Sequence, residues 1–213
     1  MTVPKKPNTI TRAEQKKLTR QKIIDATLAV IAREGFSGVT MAKVAETAGL
    51  SRGIGNFHFQ SKDQLLLETL RAIQIEFDVA WTSAVAEAGP SPAGQLRALV
   101  RTVLEPPIAD PDRLAVWLAY WAETPSRTTY REICADPDRE WQSVIEDILQ
   151  RMAGDQFVSR GMNLQAIAYS LTAMMTGCWI EYLLSPGLFK PADAVQACFA
   201  FLASFFPDFN PLD

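Results

Sequence analysis

Apolar residues recur along most of the chain at the three- and four-residue spacing of α-helices. No stretch alternates convincingly with the two-residue period of a strand. The first helical pattern covers residues 11–34, and Gly35 is a natural end for it. A second long helix is predicted to begin at Lys62, with one apolar stripe formed by Leu66, Leu70, Ile73, Phe77 and Trp81. The pattern predicts an all-α protein.

Proline and glycine separate the later helices. A break is expected at residues 89–94, where the sequence reads GPSPAG. Further helices are predicted at about residues 93–104, 111–123, 127–152, 163–184 and 191–206. We expect the third of these to be interrupted at Asp136-Pro137, because proline disfavours helix in the residue before it. With the elements described next, the prediction is about nine helices.

Residues 40–57 have the layout of a helix-turn-helix. Thr40 is placed to cap one short helix and Ser51 to cap a second. Gly49 lies in the turn between them and can supply the positive φ that other residues resist. Together with the first helix, these elements predict an N-terminal three-helix DNA-binding domain at residues 11–60. Residues 61–213 are then a separate helical domain.

Charge differs between the two parts of the chain. Residues 1–70 contain 11 Lys and Arg against 6 Asp and Glu, whereas residues 71–213 contain 10 against 18. Residues 1–10 are predicted to be a flexible basic arm. A basic N-terminal part on an acidic remainder suggests that only the former approaches a polyanion such as DNA, although charge also fluctuates by chance along any chain.

Composition narrows the possible classes. No apolar run reaches the roughly 18 residues that a membrane span needs, and the polar N-terminus lacks the apolar core of a signal peptide. The three cysteines include no CxxC pair, so we expect no disulfide framework, metal site or cofactor. The expected location is the cytoplasm.

Catalysis is poorly supported by the residue types present. His58 is the only histidine, and the nucleophile, phosphate-loop and zinc-protease motifs are absent from the sequence. We therefore expect that the protein is not an enzyme. A scaffold protein whose helix-turn-helix no longer reads DNA is a further alternative, since the second motif helix is rich in glycine.

Several short motifs carry a resemblance to a known family. These motifs are Thr40-Met-Ala-Lys-Val-Ala, Ala48-Gly49-Leu50-Ser51, Phe57-His58-Phe59 and Ser61-Lys62. They resemble the N-terminal domain of TetR-family regulators over roughly residues 18–70. The resemblance implies a bacterial, nucleoid-associated transcriptional repressor that binds operator DNA and is released by a small-molecule inducer.

The same resemblance implies a set of DNA contacts. The first motif helix would lie over the phosphate backbone and the second would enter the major groove. Arg52 is the best candidate for reading guanine, with a solvated surface charge as the alternative. Phe57 stands where relatives often have a phosphate-binding Tyr, and His58 could equally be a packing residue. The expected contact residues are Thr40, Lys43, Ser51, Arg52, Gly53, Asn56, Phe57, His58 and Lys62.

The last two predicted helices are apolar on more than one face, so each must be buried on two sides. In TetR relatives these helices form a four-helix dimer interface, and a two-fold dimer matches a palindromic operator. The alternative is a central helix pair in a monomer. The expected interface residues are Leu171, Met175, Tyr182, Val195, Phe199 and Leu202.

An aromatic cluster lies at residues 117–121, where two Trp and one Tyr fall close together on one helix. With residues 177–180 it resembles the BetI branch, whose members repress choline-to-betaine genes and respond to choline. Such rings suit a quaternary ammonium ion, although they could simply pack as a core. The expected ligand residues are Trp117, Tyr120, Trp121, Glu123, Met174 and Trp179. The alternative function is control of an efflux or catabolic operon by an unrelated hydrophobic ligand.

Overall fold

The computed structural model describes residues 11–51, 53, 58–158, 163–185, 187, 190–207 and 209. Within these residues the chain forms helices only, and no strand is present among them. This confirms the predicted all-α class. The helices described are α1 (Arg12–Gly38), α2 (Met41–Thr47), α3 (Lys62–Glu87), α4 (Pro92–Leu104), α5 (Pro111–Glu123), α6 (Thr128–Val158), α7 (Leu164–Leu184) and α8 (Pro191–Phe205).

The chain divides into two compact units, Met1–Thr69 and Leu70–Asp213. The division falls inside α3, whereas the sequence placed the domain boundary before this helix, at residues 60 and 61. Helix α3 therefore contributes its first eight residues to the N-terminal unit and the remainder to the C-terminal unit.

Helix α1 begins at a side-chain cap and is interrupted at a glycine. The Thr11 hydroxyl accepts from the Glu14 amide at 3.2 Å, and the Glu14 carboxylate accepts from the Thr11 amide at 2.7 Å. This reciprocal capping box satisfies two amides that the helix itself leaves without partners. Gly35, the predicted end, has a φ of 65° and a ψ of −173°, so the regular helix breaks there before one further turn.

The core of the N-terminal unit is formed by α1, α2 and the start of α3. Thr27 is fully buried among apolar neighbours, and its hydroxyl donates to the Ile23 carbonyl at 2.8 Å, so no polar group is stranded. The buried apolar side chains of this unit include Ile23, Ile24, Val30, Ile31, Val39, Val44, Ala45, Phe59, Leu65 and Leu66.

Side-chain caps also begin the helices of the C-terminal unit. Ser91, Asp110 and Asn163 each accept from an amide in the first turn of α4, α5 and α7, respectively. The packed interior of this unit draws on the second part of α3 and on α4 to α8, and it contains four tryptophans of low exposure on four different helices, Trp81, Trp117, Trp141 and Trp179.

Helix α6 corrects one prediction. The chain stays helical through Asp136-Pro137, and the non-helical residue is instead Gly154, with a φ of 55°. Proline removes one helical hydrogen bond, which normally favours a break. Here Tyr130 and Trp141, on either side of it, are both buried, and the tertiary packing outweighs the local preference.

Helices α7 and α8 are the most apolar of the described helices, in line with the prediction that they are apolar on more than one face. Nevertheless, none of the helices described is long and apolar enough to cross a membrane. Cys178 on α7 and Cys198 on α8 share a hydrogen bond between their thiols, which lowers the pKa of Cys178 and raises that of Cys198.

Candidate DNA-binding surface and ligand cavity

Helix α2 and the turn after it have the geometry expected of the helix-turn-helix. Thr40 caps α2, its hydroxyl oxygen accepting from the Lys43 amide at 3.1 Å, and its side chain is exposed. Gly49 has a φ of 65°, as predicted for the turn residue. The Leu50 amide then donates to the Ala45 carbonyl at 2.9 Å, which closes the turn against α2.

Both lysines among the predicted DNA contacts already have partners within the N-terminal unit. The Lys43 ammonium forms an ion pair with Glu34. The Lys62 ammonium donates to the Phe36 carbonyl at 3.1 Å, near the end of α1. A phosphate bound by Lys43 would compete with the Glu34 carboxylate. A phosphate bound by Lys62 would compete with the Phe36 carbonyl, whose hydrogen bond joins α3 to the end of α1.

His58 is half-buried at the base of the motif. Desolvation lowers the pKa of its imidazole, and the positive charges of Lys16 and Arg20 lower it further. The unbound protein therefore favours the neutral imidazole, which can donate one hydrogen bond to a phosphate.

The remaining predicted DNA contacts divide by position. Ser51 and Gly53 are exposed. Among the described residues, none outside its own helix backbone and chain neighbours has a heavy atom within 4 Å of the position that a Cβ at Gly53 would take. Arg52, Asn56 and Phe57 lie outside the described residues, and their roles stay predictions.

The C-terminal unit contains a cavity of about 320 Å³. Its walls are contributed by five helices, α3 to α7, and by Thr124 in the 3-10 turn that follows α5. The lining residues are Gln74, Phe77, Val103, Trp117, Trp121, Thr124, Arg131, Cys134, Ala135, Pro137, Asp138, Trp141, Thr172, Met175, Thr176 and Trp179.

Four tryptophans and one phenylalanine form a connected aromatic wall in this cavity. Phe77 contacts Trp117, Trp141 and Trp179, with ring centroids 5.4 to 6.1 Å apart. Trp121 lies nearly parallel to Trp179, with centroids at 5.9 Å and planes at 12°. Trp121 is also the most exposed ring of the group, at 36%, so it stands at the cavity's open side.

Hydrogen bonds hold two of these rings in place. The Trp179 indole nitrogen donates to the buried Val103 carbonyl at 2.9 Å. The Trp141 indole nitrogen donates to the Thr172 hydroxyl oxygen at 3.2 Å, and that hydroxyl donates to the Gln142 side chain. Rings held in this way lose little freedom when a ligand binds.

The cavity wall also carries charge. Burial, and secondly the negative charge of Asp78, raise the pKa of Asp138. Burial also raises the pKa of Cys134 to about 11, with the charges of Asp138 and Asp78 adding to the effect, so its thiol stays protonated. Asp78 itself accepts from Gln74 at 3.1 Å and from the Trp81 indole at 3.3 Å. This side of the cavity is acidic and well suited to a cation.

The structure brings three of the six predicted ligand residues together: Trp117, Trp121 and Trp179 line the cavity. The other three, Tyr120, Glu123 and Met174, do not line it. Tyr120 is buried against Tyr130, with centroids at 5.4 Å, and Glu123 pairs with Arg127 at 3.1 Å. Sequence reasoning missed Arg131, Cys134, Asp138 and Trp141, although their spacing of three and four residues marks one face of α6.

The predicted dimer residues need a correction. Leu171, Met175, Val195, Phe199 and Leu202 are each 2% exposed or less within the single chain, so they pack in its own core and leave no surface for a partner. Tyr182, the sixth, is half-buried. The exposed residues of α7 and α8 are different ones, some small or apolar and some polar: Gln165, Ala166, Tyr169, Ala173, Glu181, Leu184, Ala192, Asp193, Gln196, Ala197, Ala200 and Ser204.

Two family models match the chain. Residues 23–69 match the model for bacterial regulatory proteins of the TetR family. Residues 92–207, more than half of the chain, match the model for the C-terminal region of BetI-type transcriptional repressors. The first match contains the helix-turn-helix, and the second contains α4 to α8 with most of the cavity wall.

Individual relatives agree with these matches. The HTH-type transcriptional regulator BetI of Agrobacterium fabrum is 28% identical over 194 residues, which is 90% of this chain and 91% of that protein. BetI of Paraburkholderia phymatum is 29% identical over 193 residues, covering 85% and 89%.

Solved structures agree as well. A candidate transcriptional regulator from Pseudomonas aeruginosa PAO1 superposes with a TM-score of 0.78 at 26% identity, covering 94% of this chain and 96% of that one. A second, from Saccharomonospora viridis in complex with choline, shares the fold with a TM-score of 0.72 at 24% identity, covering 87% and 96%. The chain belongs to the TetR family of bacterial transcriptional regulators and has a C-terminal domain of the BetI type.

Proposed function

We propose that this protein is a dimeric repressor that binds a palindromic operator and is released when a small organic cation of the choline class enters the aromatic cavity. The observation that carries the choice of ligand is the cavity itself, in which a wall of four tryptophans and Phe77 meets the carboxyl of Asp138. The choline-bound Saccharomonospora protein, which shares the fold, supports the same class.

The cation follows from the chemistry of the wall. The face of an aromatic ring attracts a cation by roughly 0.5–2 kcal/mol, and tryptophan is the strongest of the rings. A neutral apolar ligand would also fit against the rings. However, it would remove water from the carboxyl of Asp138, an exposed residue of the wall, without neutralising the charge. A quaternary ammonium ion satisfies both the rings and the carboxylate.

Helix α3 provides a physical link between ligand and DNA. Gln74 and Phe77 line the cavity, and Lys62 begins the same helix in the N-terminal unit. A ligand that favours one position of Phe77 therefore favours one position of α3. If DNA binds better to the other position, ligand and DNA weaken each other's binding by the same coupling free energy.

Dimerisation is assigned to the exposed side of α7 and α8. Ala173 on α7, with Ala197 and Ala200 on α8, gives this side small side chains that allow close approach of a second helix pair. Tyr169 and Leu184 are 70% and 72% exposed, so a partner that covered them would remove apolar surface from water. Ala200→Arg should give monomers by light scattering, whereas Gln150→Arg, on an exposed position of α6, should leave the dimer intact.

The ligand class can be tested by calorimetry with two molecules of the same shape. Choline and 3,3-dimethyl-1-butanol differ at one atom, which is a positively charged nitrogen in choline and a neutral carbon in the other alcohol. We expect choline to bind about tenfold more tightly or better, because only the cation gains from the rings and Asp138. Equal binding of the two would instead support the alternative, a regulator of an efflux or catabolic operon with a hydrophobic ligand.

A further inference from the structure

The cavity carries a feature that a simple cation leaves unused. Arg131 lines it together with Asp138, on the same helix. Among the residues that the structure describes, the only hydrogen bond of the Arg131 guanidinium is a long one, 3.4 Å, to the Thr128 hydroxyl oxygen, and no carboxylate there pairs with it. Arg131 is exposed, so both water and a ligand bound in the cavity can reach its guanidinium.

The two charges face the same space but lie well apart. Asp138 comes seven positions after Arg131, which places the two residues on one face of α6 with an axial separation of about 10 Å. Cys134 and Ala135 lie between them on the same face and also line the cavity. The wall of α6 is therefore positive at one end and negative at the other.

The groups near each end fit opposite partners. Near Asp138 are Asp78 and the ring of Trp141, so this end attracts a cation. Thr124, seven positions before Arg131, also lines the cavity. Its hydroxyl donates to the Tyr120 carbonyl at 2.8 Å. A guanidinium binds a carboxylate through paired, charge-assisted hydrogen bonds.

We infer that the preferred ligand of this cavity is a zwitterion, with a quaternary ammonium group held by the tryptophan wall and Asp138 and a carboxylate bound by Arg131. This inference rests on the proposed function and narrows its ligand class. The cavity volume of about 320 Å³ lies in the range of sites that enclose whole drug-sized ligands, so a chain between the two charged groups can be accommodated.

The test uses the full-length protein and two series of compounds. One series consists of trimethylammonium alcohols of increasing chain length, beginning with choline, and the other of trimethylammonium carboxylates of matched lengths. Calorimetry gives the dissociation constant of each compound. The variant is Arg131→Gln, and the control is Arg139→Gln, which removes an exposed arginine that pairs with Asp136 on the same helix and does not line the cavity.

The expected result is a preference of about tenfold or more for the carboxylate at the best chain length, because a charge-assisted pair forms only with that series. Arg131→Gln should remove this preference and leave the alcohols unchanged, and Arg139→Gln should change neither series. The inference is overturned if the native protein binds the alcohols as tightly at every length, or if Arg131→Gln weakens both series equally. In those cases the proposed cation response stands, whereas binding of neither series would overturn both.

Discussion

The rings of Trp121 and Trp179 lie almost parallel, 12° apart, and join α5 to α7 at the open side of the cavity. Trp179 is 6% exposed and hydrogen-bonded to Val103, whereas Trp121 is 36% exposed. The pair therefore combines a fixed ring with one that solvent or a ligand can reach. Removing the exposed Trp121 ring should therefore affect ligand binding more than folding stability.

Trp121→Ala should weaken choline binding about tenfold, because one cation–π contact is lost. The cost in stability should be small, about 1–2 kcal/mol, because the ring is already partly exposed. Val79→Ala is the control, an exposed apolar residue of α3 outside the cavity. Calorimetry and thermal melting measure the two effects. Normal choline binding by Trp121→Ala would show that this ring does not contact the ligand.

Asp138→Asn should stabilise the free protein at neutral pH. The pKa of Asp138 is raised in the folded state, so the native protein holds this proton more tightly than the unfolded chain does. Stability from this group therefore falls as pH rises from the ordinary value of 3.8 through the raised one. Asparagine cannot ionise, so the variant does not lose stability as pH rises through this range. Melting curves across the acidic range should show the gain only above this interval.

The same substitution should weaken the binding of choline by about tenfold, because the counter-charge disappears. In the native protein, the affinity for choline should fall as pH is lowered through the raised pKa of Asp138. Asp78 and Cys134 are the titratable groups that interact with this carboxyl. Asp136→Asn serves as the control, because Asp136 pairs with Arg139 away from the cavity. A gain in stability without any loss of affinity would show that Asp138 does not contact the ligand.

Two glycines of the motif should respond oppositely to alanine. Beyond the local backbone, no described residue would crowd an alanine side chain at either position, but Gly49 has a φ of 65° and Gly53 is not in the left-handed region. Gly49→Ala should lower the free energy of unfolding by about 1–2 kcal/mol. Gly53→Ala should raise it by about 0.5–1 kcal/mol if the second motif helix forms as predicted. Urea denaturation distinguishes these signs, and a stabilising Gly49→Ala would contradict the turn geometry.

Lys43 tests the predicted phosphate contacts. Lys43→Gln should weaken operator binding and reduce the slope of log affinity against log salt by about one, the signature of one lost phosphate contact. Because Glu34 pairs with Lys43, Glu34→Gln should strengthen binding to any duplex. Lys190→Gln, in the C-terminal unit, is the matched control. An unchanged salt slope for Lys43→Gln would assign that lysine to its ion pair with Glu34 alone.

Sequence patterns predicted the helices better than they predicted which way the side chains face. The long helix from Lys62 and the turn at Gly49 were correctly predicted, because capping residues and glycine act locally. Helix α7 shows the limit. The prediction gave Met174 to the ligand and Met175 to the dimer, yet Met175 lines the cavity and is 2% exposed. A helix that is apolar on every face carries no signal for its rotation.

Helix α6 was misjudged for the opposite reason. Its face of Arg131, Cys134, Asp138 and Trp141 mixes charge with apolar residues and resembles a solvated surface in the sequence. Only the packing of α3, α5 and α7 around it turns that face into a cavity wall. Pro137 also suggested a break there, which the buried residues on either side prevent. Such features depend on neighbours distant in the chain.

The most direct test of the account is release of operator DNA by ligand, followed by the fluorescence anisotropy of a labelled duplex that carries the palindrome nearest the gene. Adding choline, or a trimethylammonium carboxylate, should lower the anisotropy of the native complex to that of free DNA. For Trp121→Ala the midpoint should move to about tenfold higher ligand concentration. A complex that binds the duplex tightly and stays intact at saturating concentrations of both compounds would contradict the proposed inducer and the role of the aromatic cavity.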